Sequence, residues 1–156
     1  MPRIAVLWLG LSLLAASAPV EGQTPSVAAT QVFLEYADSA YTEVEPFVLE
    51  IDSFLDSQVV AEIADDLGLA HGPRSELVQC SEDRRNCRII PDGRLLRVTA
   101  QTANANSREW RFRIFLASDV ALPDGRSRIF GVAREVTIAL SDAWRVIDDK
   151  VLFQTQ

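Results

Sequence analysis

Hydrophobic residues fall along this chain in three successive regimes. The first is a run, in which Ile4, Val6, Leu7, Trp8, Leu9, Leu11, Leu13 and Leu14 crowd together ahead of Ala15-Ala16-Ser17-Ala18-Pro19. The second has a period of three to four. Val27, Leu34, Ala37 and Tyr41 form one stripe, predicting a helix opened by Pro25-Ser26 and running through about Tyr41. Phe47, Val48, Ile51, Phe54 and Leu55 form another, predicting a helical segment over Val44 to Leu55. Asp56 or Ser57 then serves as N-cap to a third helix with Val59, Val60, Ile63, Ala64 and Leu67 inward and Gly68 as C-cap. His71-Gly72-Pro73 reads as a linker.

After Arg74 the period changes to two. Glu76 to Cys80 and Cys87 to Ile90 are predicted to pair as a hairpin, and Pro91-Asp92-Gly93 to turn the chain. Strands follow over Leu95 to Thr102, Glu109 to Ala117, Arg128 to Leu140 and Trp144 to about Phe153, with turns at Pro123-Asp124-Gly125 and Ser141-Asp142. Gly131 marks a bulge within the third of these. Trp110, Phe112, Ile114 and Leu116 alternate onto one face of their strand, while Arg97, Thr99, Arg111, Arg113, Glu135 and Arg145 fall on the other face of the sheet. Helices first and strands afterwards predict an α+β fold, with N-terminal helices packed on an antiparallel sheet of five to six strands. One α+β domain is expected over residues 23–156, helical over 23–73 and sheet over 74–156.

The opening run changes what the rest means. Arg3, then the apolar core, then small residues is the order of a secretory signal peptide, and the run is short of the roughly 20 residues of a membrane span. Residues 1–22 are expected to be removed between Gly22 and Gln23, because Pro19 makes a poor residue after a scissile bond at Ala18. The protein is therefore expected to be secreted or periplasmic, with no membrane span once the signal is gone. In such a compartment Cys80 and Cys87, the only two cysteines, are expected to be disulfide-bonded. Their spacing is wider than a redox C-x-x-C, and with His71 the only histidine a zinc set is lacking, so no metal and no cofactor are expected.

Charge is distributed unevenly in a chain of formal net charge −7. No Lys or Arg lies between Arg3 and Arg74, whereas Glu35, Asp38, Glu43, Glu45, Glu50, Asp52, Asp56, Glu62, Asp65 and Asp66 do. Such a distribution suits either an acidic face for a cation or a basic partner, or mutual neutralisation of acidic helices by an arginine-bearing sheet. Net acidity argues against nucleic acid as a partner.

Glu135-Val-Thr-Ile-Ala-Leu, a two-residue turn, then Trp144-Arg145-Val146 resembles the last hairpin of NTF2-like proteins, cone-shaped α+β domains whose helices cap a curved antiparallel sheet. The resemblance covers about the last 60 residues by pattern and the rest by the order of elements. It implies a pocket between helices and sheet, in which enzymes of the family hold an aspartate or a His–Asp pair. No residue of this sequence maps onto that position, and the hairpin between the cysteines departs from the pattern.

Candidate chemistry is sparse. A nucleophile would need His71 as its base, and no G-x-S-x-G accompanies it. Asp65-Asp66 and Asp148-Asp149 are adjacent pairs whose members point different ways, the second suggesting a bend or bulge in the last strand. The aromatic set Trp110, Phe112, Phe115, Phe130 and Trp144 either fills the core or lines an apolar pocket. The residues assigned to a ligand are Trp110, Phe112 and Trp144, facing Phe33, Phe47, Phe54 and Ile63 of the helical part. Two functions remain open: an exported non-catalytic domain binding a small apolar ligand or a protein partner, and an NTF2-like lyase or isomerase acting on a small apolar substrate.

Overall fold

The computed structural model describes residues 25–43 and 45–155; residues 1–22, where a signal peptide is expected, lie outside them. Two of the predicted helices form; in the first, Leu34, Ala37 and Tyr41 of the predicted stripe are buried, whereas Val27 in the first turn is 56% exposed. Helix α1 (Val27–Tyr41) is capped by Ser26, whose hydroxyl accepts from the Ala29 N–H at 3.2 Å. Helix α2 (Ser57–Leu67) is capped by Asp56, which accepts from the Val59 N–H, and ends at Gly68 in the left-handed region (φ 70°).

The segment between them departs from its predicted helix. Phe47–Glu50 is a strand, β1, followed by one 3₁₀ turn, Ile51–Ser53. All four β1 residues are buried: Phe47 and Leu49 enter the core under the helices, and Val48 enters a second cluster on the opposite side. A strand buried on both faces reads as a continuous apolar run, and so short a run satisfies a helical template equally well. His71 is not in a linker either: β2 (His71–Gly72) pairs with β1 in parallel.

The remaining elements are a single-turn helix α3 (Arg74–Leu77), the pair β3 (Val78–Cys80) and β4 (Cys87–Ile89), and four long strands, β5 (Arg94–Ala103), β6 (Glu109–Ala121), β7 (Ser127–Leu140) and β8 (Trp144–Gln154). The fold is α+β. Its main sheet has six strands in the order β2-β1-β5-β6-β7-β8 and is mixed rather than antiparallel throughout, because β1 runs parallel to both neighbours. The strand-to-strand return from β1 to β5 passes through α2, β2 and the hairpin, which is long enough for a parallel crossover.

Hairpin β3–β4 is a separate two-stranded sheet. With α3 it covers part of the face turned away from α1 and α2. Leu77 and Ile89 pack there against Val48, Leu95 and Ala117, with Phe115 and Ile129 at the margin. The second face is thus apolar at one end and charged at the other, where Glu135 of β7 accepts from Arg113 of β6 and Lys150 of β8, each at 2.8 Å. Arg113 and Glu135, both assigned to this face from sequence, stand directly opposite each other on β6 and β7.

Irregularities fall elsewhere than at Gly131. Register shifts occur between Val98 and Ala100, and on the β7–β8 ladder between Ala133 and Arg134 and between Thr137 and Ile138. Gly131 pairs with Ala117 in an unbroken ladder. It is glycine because the chains approach closely there: a Cβ would sit 2.3 Å from the Leu116 carbonyl oxygen and 2.7 Å from Cζ of Phe115.

Candidate functional site

The residues assigned to a ligand from sequence lie in or beside the core between helices and sheet. Trp110 and Phe112 are 2% and 0% exposed, and Phe112 stacks on Phe33 with ring centroids 4.4 Å apart and planes 3° from parallel. Phe54 tilts against Phe33 at 6.3 Å, and Phe47 and Ile63 belong to the same cluster. Trp144 is partly buried against that cluster's edge. An offset aromatic stack of this kind is a packing interaction, worth about 0.5–1.5 kcal/mol beyond its buried area.

Open clefts lie on both faces of β6 and β7 toward the turn that joins them. On the hairpin face is a cleft of about 450 Å³. Its floor is Leu95 and Ala117, buried in the second apolar cluster, with the partly buried Phe115 and Ile129 at that cluster's margin. Its rim is Arg74, Arg84, Arg85, Arg97 and Arg128. Arg84 and Arg85 lie in the loop closed by the Cys80–Cys87 disulfide, whose sulfurs are 2.05 Å apart. The loop is braced against the sheet by Asn86, whose Oδ1 accepts from the Ser127 N–H at 2.9 Å. The small polar loop between the cysteines therefore stands as one wall of a cleft.

The rim arginines are unequally neutralised. Glu50, 2% exposed at the end of β1, accepts from Nη1 of Arg74 at 2.9 Å and lies 3.4 Å from Nε of Arg97, so one buried carboxylate serves two guanidinium groups. Asp52 further accepts from the Arg74 N–H. Arg85 has Asp83 at 3.8 Å. The Arg84 and Arg128 side chains have no hydrogen-bond or ion-pair partner among the described residues.

On the helix face, beyond the C-terminal end of α1, lies a cleft of about 380 Å³ lined in part by Leu116, Phe130, Val132, Tyr41, Arg94 and Arg134. Both of its arginines are engaged. Arg94 donates to the carbonyl oxygens of Tyr41 and Glu45, which satisfies the end of α1, and Arg134 is held by Asp149.

Asp149 is the polar group that sequence reading did not place. It lies on the helix side of β8, where Oδ2 accepts from the hydroxyls of Tyr36 (2.7 Å) and Tyr41 (2.9 Å) and Oδ1 accepts from Nε of Arg134 (2.9 Å). Arg134 also lies over the Tyr41 ring, 5.5 Å from its centroid. Desolvation alone would raise the Asp149 carboxyl, but Arg134 and the two hydroxyls together outweigh it and hold the group below the usual carboxylate range. Burial, and then the hydrogen bond to Asp149, pushes Tyr36 up to about 12 and also raises Tyr41. The signal for this cluster was the charge pair Asp148-Asp149 within the last strand. The register shift beside Thr137 sets which of the two turns inward.

His71 pairs with Asp65, Nε2 to Oδ1 at 2.9 Å, which is the one His–carboxylate contact among the described residues. Asp65 is 76% exposed and neither residue lines the two clefts. Among the described residues no group of three or more His, Cys, Asp or Glu is arranged to hold a metal ion, and no helix is long and apolar enough to cross a membrane. The chain matches no family model, no curated protein and no solved structure.

Proposed function

We propose that this protein is an exported, non-catalytic binding domain of NTF2-like form, which takes a small, largely apolar ligand in the cleft between the disulfide-held loop and the sheet. The observation that carries the reading is the cleft itself. About 450 Å³ is within the range of small-molecule sites, and four apolar side chains form its floor. The apolar surface that Phe115 and Ile129 leave open to water is unfavourable by about 25 cal/mol per Å², a cost that an apolar occupant removes.

Export is supported by the order of residues 1–22 and by the disulfide, which persists in oxidising compartments. The NTF2-like reading, with its curved sheet, is supported by helices on one face of long antiparallel strands and by bulges, which bend the strands that carry them. Parallel β1 and β2 and the covering hairpin depart from that pattern.

A lyase or isomerase needs a group that exchanges a proton near neutral pH. Asp149, the inward carboxylate, is held ionised by three donors, and its tyrosine partners are held protonated. That arrangement suits a structural anchor rather than an acid–base catalyst.

The test is a thermal-shift screen of the exported protein with fatty acids, sterols and aromatic compounds, followed by amide chemical-shift mapping. The expected result is a raised Tm, by mass action, with perturbed amides at Leu95, Phe115 and Ile129. A panel without any response refutes a ligand site here, and perturbations confined to the Trp110–Phe112 region move it to the core between helices and sheet.

A further inference from the structure

We infer that the ligand of the hairpin-face cleft is an amphiphilic anion, an apolar body carrying one carboxylate, sulfonate or phosphate head that Arg84 and Arg128 bind. The inference rests on the binding-domain reading and adds the ligand's charge. Five guanidinium groups surround one cleft on a chain of net charge −7, so the cleft is a local reversal of sign. Such a reversal draws anions selectively, and its field is focused between low-dielectric walls.

The neutralisation is incomplete in a specific way. Arg74 and Arg97 are committed to buried Glu50, and Arg85 has a distant Asp83. Arg84, on the disulfide loop, and Arg128, on β7, line the cleft from two different elements and lack a carboxylate among the described residues. Most other arginines of the sheet and its turns, including Arg94, Arg111, Arg113, Arg126, Arg134 and Arg145, have one. Guanidinium groups match the planar or tetrahedral oxygens of such a head through paired N–H donors. The floor of Leu95, Phe115, Ala117 and Ile129 then takes the apolar body, and the disulfide holds the loop wall in place before the ligand arrives.

The experiment uses two fluorescent probes with the same aryl body, 8-anilinonaphthalene-1-sulfonate and uncharged N-phenyl-1-naphthylamine, titrated into the natively folded protein. The sulfonate is expected to bind with a stoichiometry of one, at least about tenfold tighter than the neutral probe, and more weakly as salt is added. R84Q/R128Q is expected to lose about tenfold or more in affinity for the sulfonate while leaving the neutral probe unchanged. Neither substitution breaks an ion pair, and far-UV circular dichroism checks that the fold is intact. R108Q, an exposed arginine outside the cleft, is the control and should leave both affinities as they were.

Competition by decanoate below its micellar range indicates a free amphiphile. Arginine-dependent sedimentation with phosphatidylglycerol vesicles, but not phosphatidylcholine vesicles, indicates a lipid headgroup, and either result supports the shared chemistry. Equal binding of both probes, unaffected by R84Q/R128Q, overturns the anion and leaves an apolar site. Binding of neither probe overturns the site as well.

Discussion

Removing the Asp149 carboxylate is the sharpest probe of how this fold is held together. It ties the last strand to the first helix, 113 residues apart in sequence at Tyr36 and 108 at Tyr41. Each hydrogen bond to a charged acceptor contributes about 1.5–3 kcal/mol net, but the three are not additive. In Asp149→Ala the Arg134 side chain, 26% exposed, and half-buried Tyr36 regain water. Tyr41, 7% exposed, cannot do so fully, so the penalty concentrates on its hydroxyl. The expected loss is about 2–4 kcal/mol for Asp149→Ala and about 1–2 kcal/mol for Asp149→Asn, which keeps one acceptor oxygen but no charge. In Tm this is about 3–5 °C per kcal/mol for a domain of this size.

Urea denaturation of Asp149→Asn, Tyr41→Phe and the double variant should give a coupling energy of about 0.5–1.5 kcal/mol. The pH dependence has a defined sign. The folded pKa of Asp149 lies below its ordinary 3.8, so its contribution is complete above that value and is lost as pH falls through the folded pKa. The wild-type and Asp149→Asn stabilities should therefore differ fully at pH 6 and converge below 3.8. Tyr36 is raised from 10.0 to about 12, so its contribution is complete below pH 10 and is lost as pH rises through about 12. Loss of under about 0.5 kcal/mol in Asp149→Ala, or a wild-type–variant difference unchanged from pH 6 to pH 3, would refute the anchor.

Replacing both cysteines by Ser should lower stability by about 1–3 kcal/mol in denaturant titration without abolishing folding, and complete unfolding would show the hairpin to be essential to the core. Gly131→Ala should cost about 1–3 kcal/mol, because the new Cβ meets the Leu116 carbonyl of the adjacent strand; wild-type stability would contradict the close approach. Phe112→Ala should cost about 3–5 kcal/mol by calorimetry, since the ring is fully buried against Phe33, whereas Trp144→Ala at the rim should cost less. Intact mass of exported protein should start at Gln23, and a mass retaining residues 1–22 would make that segment an uncleaved anchor.

Local chemistry decided much of this protein. The stripes of α1 and α2, their caps at Ser26 and Asp56, and the left-handed Gly68 are interactions among residues within a few positions of one another. The alternation of Trp110, Phe112 and Ile114 against Arg111 and Arg113 needs no more than the pleat of a strand to sort its faces. The disulfide hairpin was equally legible, because a short polar loop brings its own ends together.

Other features depended on partners far along the chain. Phe47–Glu50 is a strand because β5 and β2 flank it and both its faces are covered, and four buried residues carry no period of their own. Asp149 rather than Asp148 turns toward Tyr36 and Tyr41 because bulges in the β7–β8 ladder set the phase of β8. The arginine rim joins α3, the disulfide loop, β5 and β7. Side chains spaced from Arg74 to Arg128 converge only once the hairpin folds back over the sheet, so that cleft is a property of tertiary structure alone.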